Sequence, residues 1–172
     1  MSKRKQKAFM ALYEPVHPQF ERFCRARVYG QMEFRDLMNE TLLLAFKKFD
    51  QLRAREAFLS WLFGIAVRVL ANQARKKNEV EVVNEATLLH ISGSRPTDSD
   101  AEVYLLHRAL AQLPEAQKEA IILFEITGFS IKEIAVMQQA SESAVKQRLS
   151  RGRQKLKALL DAPTNGKEAR HG

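Results

Sequence analysis

Cysteine is almost absent from this 172-residue sequence, which contains only Cys24. A single thiol can form no disulfide within the chain and cannot supply the several thiolates of a structural zinc site. This composition is typical of a reducing compartment, so we expect a cytoplasmic protein. Because Cys24 lies beside Phe23, we expect its side chain to fill the core rather than to act as a nucleophile.

Long hydrophobic runs are also missing. No apolar run approaches the ~20 residues that a membrane-spanning helix needs. The N-terminus is basic and then briefly apolar, and Glu14 and Pro15 close the apolar part before it reaches the length of a signal peptide. The sequence therefore predicts no insertion into a membrane.

Residue patterns of catalysis are lacking as well. The four histidines, His17, His90, His107 and His171, are scattered without the spacing of metal ligands. No Ser/His/Asp arrangement, glycine-rich phosphate loop or pair of catalytic carboxylates is evident. We expect no bound metal and no cofactor.

Positive charge is what the sequence has in excess. It contains 28 Lys and Arg against 20 Asp and Glu, which gives a formal net charge of +8. Such an excess favours a polyanionic partner, which would be DNA, RNA or an anionic membrane surface. The alternative interpretation is positive charge dispersed over an ordinary protein surface.

The charge is distributed in blocks along the chain. Residues 1–77 carry 16 basic and 7 acidic side chains, residues 78–100 carry 1 and 5, and residues 101–161 carry 9 and 7. The acidic block includes the segment SGSRPTDSD, whose composition favours a flexible linker. We predict two small domains at 1–77 and 101–161, a linker at 78–100, and a disordered tail at 162–172.

Helical periodicity dominates both basic blocks, and VEVV at 80–83 is the only good strand-like fragment. The predicted fold class is therefore all-α, with two small helical domains. Pro15 and Pro18 should interrupt the first helical segment. Further helices are predicted at residues 34–49, 58–77, 101–113 and 115–127, with two more starting near 130 and 141.

The last two predicted helices form a helix-turn-helix, because a short helix and a break precede a longer basic helix. Ser130 and Glu133 fit a capping box for the first, and Ser141 should cap the second. Six basic residues and no acid occur between 146 and 157. A merely solvated helix usually mixes both signs, so this pattern favours nucleic-acid binding. One stripe should pack inward: Val145, Leu149, Gly152, Leu156 and Leu159.

The leading end of the basic helix is the part that can read DNA. A helix fits the major groove of B-DNA and presents its N-terminal residues to the base edges. Ser143, Lys146 and Gln147 lie at that end, so we expect them near bases. Arg151 and Arg153 lie further along and are expected to hold phosphates.

These residues resemble the fourth conserved region of bacterial σ factors of the extracytoplasmic-function (ECF) group. The matching positions are Glu133, Ile134, Ala135, Ser141, Val145, Lys146, Arg148, Leu149, Ser150, Arg151, Arg153 and Leu156. In the N-terminal block, DLMNETLLLAFKKF is similar to the D-L-x-Q-E-T-F helix of the same family. FLSWLFGIAVRVLANQARKK is similar to its F-x-T-W-L-Y-x-I-A helix. Together the resemblance covers roughly residues 8–77 and 103–160.

The resemblance implies a two-domain, all-α σ factor without enzymatic activity. Its implied partners are core RNA polymerase, promoter DNA and an anti-σ factor. Polymerase binding is implied for Asp36, Asn39 and Glu40. Recognition and melting of the promoter −10 element is implied for Arg53, Arg55, Glu56, Arg68, Asn72 and Arg75. Recognition of the −35 element is implied for Ser143, Lys146, Gln147, Arg148, Ser150 and Arg151.

Some positions depart from the family pattern. Gln139 stands where the family has Gly at the corner of the helix-turn-helix, a turn that often needs positive φ, and Ala144 replaces Thr. Trp61 could stack on a base, but its apolar surroundings favour a core position. Two alternatives stay open: a stand-alone helix-turn-helix regulator, and a σ-like adaptor that acts by protein–protein contact.

Overall fold

Helices make up most of the described chain, which comprises residues 2–79 and 100–162 of a computed structural model, and no strand occurs in those ranges. The N-terminal half contains α1 (Lys3–Tyr13), α2 (His17–Arg27), α3 (Phe34–Lys47) and α4 (Phe58–Glu79). The C-terminal half contains α5 (Asp100–Ala111), α6 (Glu115–Ile121), α7 (Ile131–Gln138) and α8 (Glu142–Asp161). The predicted all-α class is confirmed. Most of the predicted linker and tail lies outside the described residues.

The two prolines near the N-terminus separate α1 from α2. A single 3-10 turn, Glu14–Val16, follows α1, and Pro18 lies in the first turn of α2, where its missing N–H costs nothing. The predicted interruption is confirmed. The first helix nevertheless begins at Lys3, earlier than its apolar part suggests, because Lys, Arg and Gln are themselves good helix formers.

The core of the N-terminal half is built around α4, whose first half is buried nearly all round. Phe63 is fully buried, and its ring centroid lies 4.9 Å from that of Phe23. Cys24 is also fully buried, and burial raises the pKa of its thiol well above the ordinary value. The prediction that Cys24 fills the core is confirmed.

Helix α4 is apolar enough to invite confusion with a membrane span. The segment Arg55–Lys77 has 23 residues and a mean hydropathy of 1.3 in its most apolar part, so by length and composition it could cross a bilayer. Half of that part is buried inside the protein, as expected for a core helix. The sequence analysis did not count it as one run, because Arg68 interrupts it.

The segment after α6 differs from the prediction of one helix through Thr127. Helix α6 ends at Ile121, and the chain continues as a π-helical turn, Ile122–Ile126. The hydroxyl of Thr127 donates to the carbonyl of Ile122 at 3.1 Å and helps to close this wider turn. Gly128, with φ of +85°, then ends the segment as predicted.

The helix-turn-helix comprises α7 and α8, and both predicted caps are present. Ser130 and Glu133 exchange the two hydrogen bonds of a capping box, and the Ser141 hydroxyl accepts from the amide of Ala144 at 3.0 Å. At the corner between the helices Gln139 is left-handed, with φ 52° and ψ 47°. The chain therefore places a glutamine where the geometry favours glycine.

The inward face of α8 packs on α6, as its sequence stripe predicts. Val145, Leu149 and Gly152 are buried, and Leu156 and Leu159 are half-buried. A Cβ atom at Gly152 would lie 2.5 Å from Cδ1 of Ile121, which shows how closely the two helices approach there.

We predict that Gln139→Gly stabilises the helix-turn-helix by about 0.5–1 kcal/mol, because a left-handed residue with a Cβ is strained and glycine is not. Urea denaturation followed by circular dichroism measures the change. Gln139→Ala, which keeps the Cβ, should give no such gain. Equal stabilisation by both variants would show that backbone strain is not the cause.

Candidate DNA and polymerase interfaces

The outer face of α8 collects most of the residues predicted to contact the −35 element. Ser143, Lys146, Gln147, Ser150 and Arg151 are all exposed. They lie opposite the buried stripe, so one side of the helix holds α8 in place while the other presents hydroxyl, amide and cationic groups. Such a mixture can both bond to base edges and neutralise phosphates.

Arg148 differs from the rest of that predicted set. It is half-buried, and its Nη1 donates to Oε1 of Gln138 at 2.9 Å. Gln138 in turn donates from Nε2 to Oε1 of Glu119 at 3.0 Å. The structure therefore places Arg148 at the junction of α6, α7 and α8.

Arg153 is also engaged inside the protein. Its Nε and Nη2 both donate to Oε1 of Glu125, at 2.9 and 2.6 Å, and its guanidinium lies 5.3 Å from the ring centroid of Phe124. An arginine held in this way is less available to phosphates than one without a carboxylate partner. The net charge of α8 therefore overstates the number of cations that it offers to DNA.

The residues predicted for the −10 element fall into two neighbouring groups. Arg68, Asn72 and Arg75 are exposed on α4 at helical spacing and share one face. Arg53, Arg55 and Glu56 are exposed in the segment that leads from α3 into α4. The structure thus brings a basic loop and a basic helix face together along one helix.

Trp61 lies between these groups and is half-buried. Its ring packs on Phe58 with a centroid distance of 5.9 Å, so one side belongs to the core. Its other side borders a groove of about 360 Å³ between α4 and α7, together with Arg68, Val136 and Met137. Trp61 is therefore a core-edge residue rather than a fully buried one.

The residues predicted to bind polymerase form an exposed face of α3. Asp36, Asn39 and Glu40 are exposed, whereas Leu37 and Thr41 on the opposite side are fully buried. Glu40 accepts a hydrogen bond from Nε2 of Gln73 at 2.7 Å, which orients its carboxylate.

Sequence reasoning missed Leu43, which follows Glu40 by three positions on the same face. Its side chain is 55% exposed, although leucine in a core helix is usually buried. The spacing of seven from Asp36 was the available signal. An exposed leucine beside carboxylates is the composition of a protein-binding surface, with an apolar centre and a polar rim.

Sequence reasoning also missed a buried ionic cluster between the two halves of the chain. Arg27 of α2 donates to Glu119 at 2.9 Å and to Glu115 at 2.6 Å, and Lys118 donates to Glu115 at 3.2 Å. Partial burial opposes ionisation of Glu115, but the charges of Arg27 and Lys118 outweigh it and hold the pKa of that carboxyl below its ordinary value. Burial, followed by the repulsion of Arg27, lowers the pKa of Lys118.

A capped helix-turn-helix with a basic outer face, joined to a second helical unit with its own basic face, defines a two-part DNA-binding protein of transcription. Comparison with family models matches residues 12–80 to Sigma-70 region 2 and residues 104–156 to Sigma-70 region 4. The chain belongs to the ECF group of the σ-70 family: it is an RNA polymerase σ factor, which binds core polymerase and promoter DNA in transcription initiation.

Similar proteins agree with this assignment. The chain is 32% identical over 126 residues to the ECF RNA polymerase sigma factor EcfG of Rhodopseudomonas palustris, which covers 73% of this chain and 70% of the relative. It is 30% identical to the RNA polymerase sigma factor CarQ of Myxococcus xanthus, with 90% of each chain covered. Among solved structures it resembles the sigma factor RpoE in complex with the anti-sigma factor NepR from Bartonella quintana, at 29% identity and a TM-score of 0.74. That match covers 90% of this chain and 97% of the other.

The two alternatives drawn from the sequence are not favoured. A stand-alone helix-turn-helix regulator would not explain the N-terminal half, whose residues 12–80 match σ region 2. The relatives matched over most of the chain are σ factors, which also disfavours an adaptor without a role in transcription initiation.

We predict that Arg151→Gln lowers the salt dependence of DNA binding more than Arg153→Gln does. Loss of one phosphate contact should reduce the slope of log Kobs against log salt by about one. Arg153→Gln should have a clearly smaller effect, because Glu125 already engages its guanidinium. Fluorescence anisotropy with a mixed-sequence duplex over a series of salt concentrations measures both slopes. Equal slopes would show that Arg153 leaves Glu125 for the DNA.

Proposed function

We propose that the two halves of this σ factor divide promoter recognition between them. The N-terminal domain, residues 1–77, binds core polymerase and the −10 element, and the C-terminal domain, residues 101–161, reads the −35 element. The observation that carries this proposal is that each half presents an exposed basic face on one long helix, α4 or α8. Residues 78–100 form the linker in this scheme.

For the −35 element, the leading end of α8 enters the major groove. Lys146 and Gln147 are exposed on the first two turns, where recognition helices meet base edges. Ser143 assists them, and Ser150 and Arg151 lie one turn further on, within reach of the phosphate backbone. Arg148 acts mainly by positioning, since Gln138 holds its guanidinium at the base of the helix.

For the −10 element, the exposed face of α4 receives the melted strand. Arg68, Asn72 and Arg75 follow one another along this face and bind the backbone, since cations that track a strand suit single-stranded DNA. Arg53, Arg55 and Glu56 surround the place where a base leaves the stack. Unstacking a base costs a few kcal/mol, and a pocket that holds the flipped base offsets part of that cost.

For core polymerase, the exposed face of α3 is the docking surface. Asp36, Asn39 and Glu40 supply hydrogen-bonding and anionic groups for a basic partner surface. Leu43 supplies the apolar centre that such an interface needs.

We further propose that an anti-σ factor binds this chain in the cytoplasm. Support comes from the solved relative RpoE, which was crystallised with the anti-sigma factor NepR and matches 90% of this chain. The chain acts by binding and positioning, and carries out no chemical step of its own.

Run-off transcription with purified core polymerase tests the function, and Asp36→Arg tests the docking surface. We expect wild-type protein to give promoter-dependent transcripts. Asp36→Arg should weaken core binding about tenfold or more, because like charges across an interface cost several kcal/mol. Glu14→Arg, an equal charge change at an exposed residue outside α3, should bind normally. Normal core affinity of a folded Asp36→Arg protein would remove α3 from the interface.

Lys146→Ala tests the reading of bases. Loss of a base contact should cost ~1–3 kcal/mol and relax specificity at one position. Competition among −35 duplexes selected from a random pool by the wild-type protein measures this change. Lys157→Ala, at the far end of the same helix, should leave sequence preference unchanged. An unaltered preference for Lys146→Ala would place the reading end elsewhere on α8.

A further inference from the structure

The two halves of the chain are joined by a buried ion pair that neither half can form alone. The side chain of Arg27, on α2, is only 7% exposed, and that of Glu119, on α6, only 8%. Nε of Arg27 donates to Glu119 at 2.9 Å, and Nη1 donates to Glu115 at 2.6 Å. One guanidinium from the N-terminal half thus engages two carboxylates of the C-terminal half. We call these three residues the Arg27 latch.

Neighbouring side chains hold the carboxylates of the latch in position. The second oxygen of Glu119 accepts from Gln138 at 3.0 Å. The second oxygen of Glu115 accepts from Lys118 at 3.2 Å and from Gln31 at 2.6 Å. With Lys118 included, two positive and two negative groups balance. Buried charges are tolerated when they are paired and hydrogen-bonded in this way.

Apolar and backbone contacts accompany the latch. The ring of Phe63 on α4 meets the ring of Phe129, which precedes α7, at a centroid distance of 5.0 Å, and both residues are buried. Nε2 of Gln19 donates to the carbonyl of Thr127 at 2.8 Å. The two halves therefore form a packed interface, with the latch as its charged part.

This arrangement is too short for a promoter. Centres of −35 and −10 elements lie roughly 25 base pairs apart, or about 85 Å at 3.4 Å per base pair. A compact chain of this length has a radius of gyration of only about 16 Å. With α2 bonded to α6, the two DNA-binding faces cannot reach both elements together.

The closed arrangement also narrows access to the −10 face. Arg68 and Trp61 line the groove between α4 and α7, and Lys132, Glu133 and Val136 form its opposite wall. A melted strand that binds α4 along this face would meet α7. Opening of the two halves would remove that wall.

We propose that the Arg27 latch makes the free chain its own inhibitor, holding the two halves closed until polymerase or DNA separates them. The inhibitory effect rests on the proposed division of promoter recognition, whereas the closure itself does not. Apparent affinity for core polymerase is then the intrinsic affinity multiplied by the small fraction of open molecules.

Arg27→Met tests the latch, because methionine keeps an unbranched side chain and removes the charge. Small-angle X-ray scattering should give a compact wild type near ~16 Å and a clearly larger radius of gyration for the variant. Affinity for core polymerase should rise at least about fivefold, as expected when the open fraction rises by that factor. Arg22→Met, an equal change at an exposed position of α2, should behave as wild type.

Glu115→Gln keeps the test decisive if Arg27→Met fails to fold. The Glu115 side chain is 56% exposed, so its replacement should leave the helices intact by circular dichroism and open the chain partially. An extended wild type, or folded latch variants as compact as wild type, would overturn the proposal. Opening without any gain in core affinity would overturn the inhibitory role. Opening without run-off transcription by any form would instead contradict the proposed function.

Discussion

The structure depends on one helix that has more apolar surface than its own half can cover. From Leu62 to Leu70, α4 is buried at every position except Arg68. Helices α2 and α3 cover one side, and Phe129 and α7 cover another. Burial of such a helix on several sides stabilises the chain by the removal of apolar surface from water. The C-terminal half is therefore part of the cover of the N-terminal core, and any open form must expose or re-cover that surface.

Local features were predictable from the sequence because each depends on neighbouring residues. The capping box of Ser130 and Glu133, the cap at Ser141 and the left-handed corner at Gln139 all follow from backbone geometry within a few positions. The inward stripe of α8 follows from helical periodicity. The outer faces of α3 and α8 could be placed for the same reason, since the buried stripe fixes what remains exposed.

Features that depend on distant residues could not be predicted in this way. Arg27 and Glu119 are 92 positions apart, and nothing in either local pattern marks them as partners. The π-helical turn after Ile121 has no periodic signature that separates it from an ordinary helix. Charge counting failed at Arg148 and Arg153 for a related reason: acceptors from other helices, Gln138 and Glu125, engage them.

The energetics of a buried ion pair explain how such a latch can be firm and yet open. Removing one partner of a buried pair costs roughly 3–5 kcal/mol, because the other charge is left without compensation. Separating the intact pair is different, since Arg27, Glu115 and Glu119 all regain hydration when the halves part. The net cost of opening is therefore much smaller than the cost of truncation. A contact of this kind keeps the closed form well defined, while a partner that binds the open form with modest extra affinity can still displace the equilibrium.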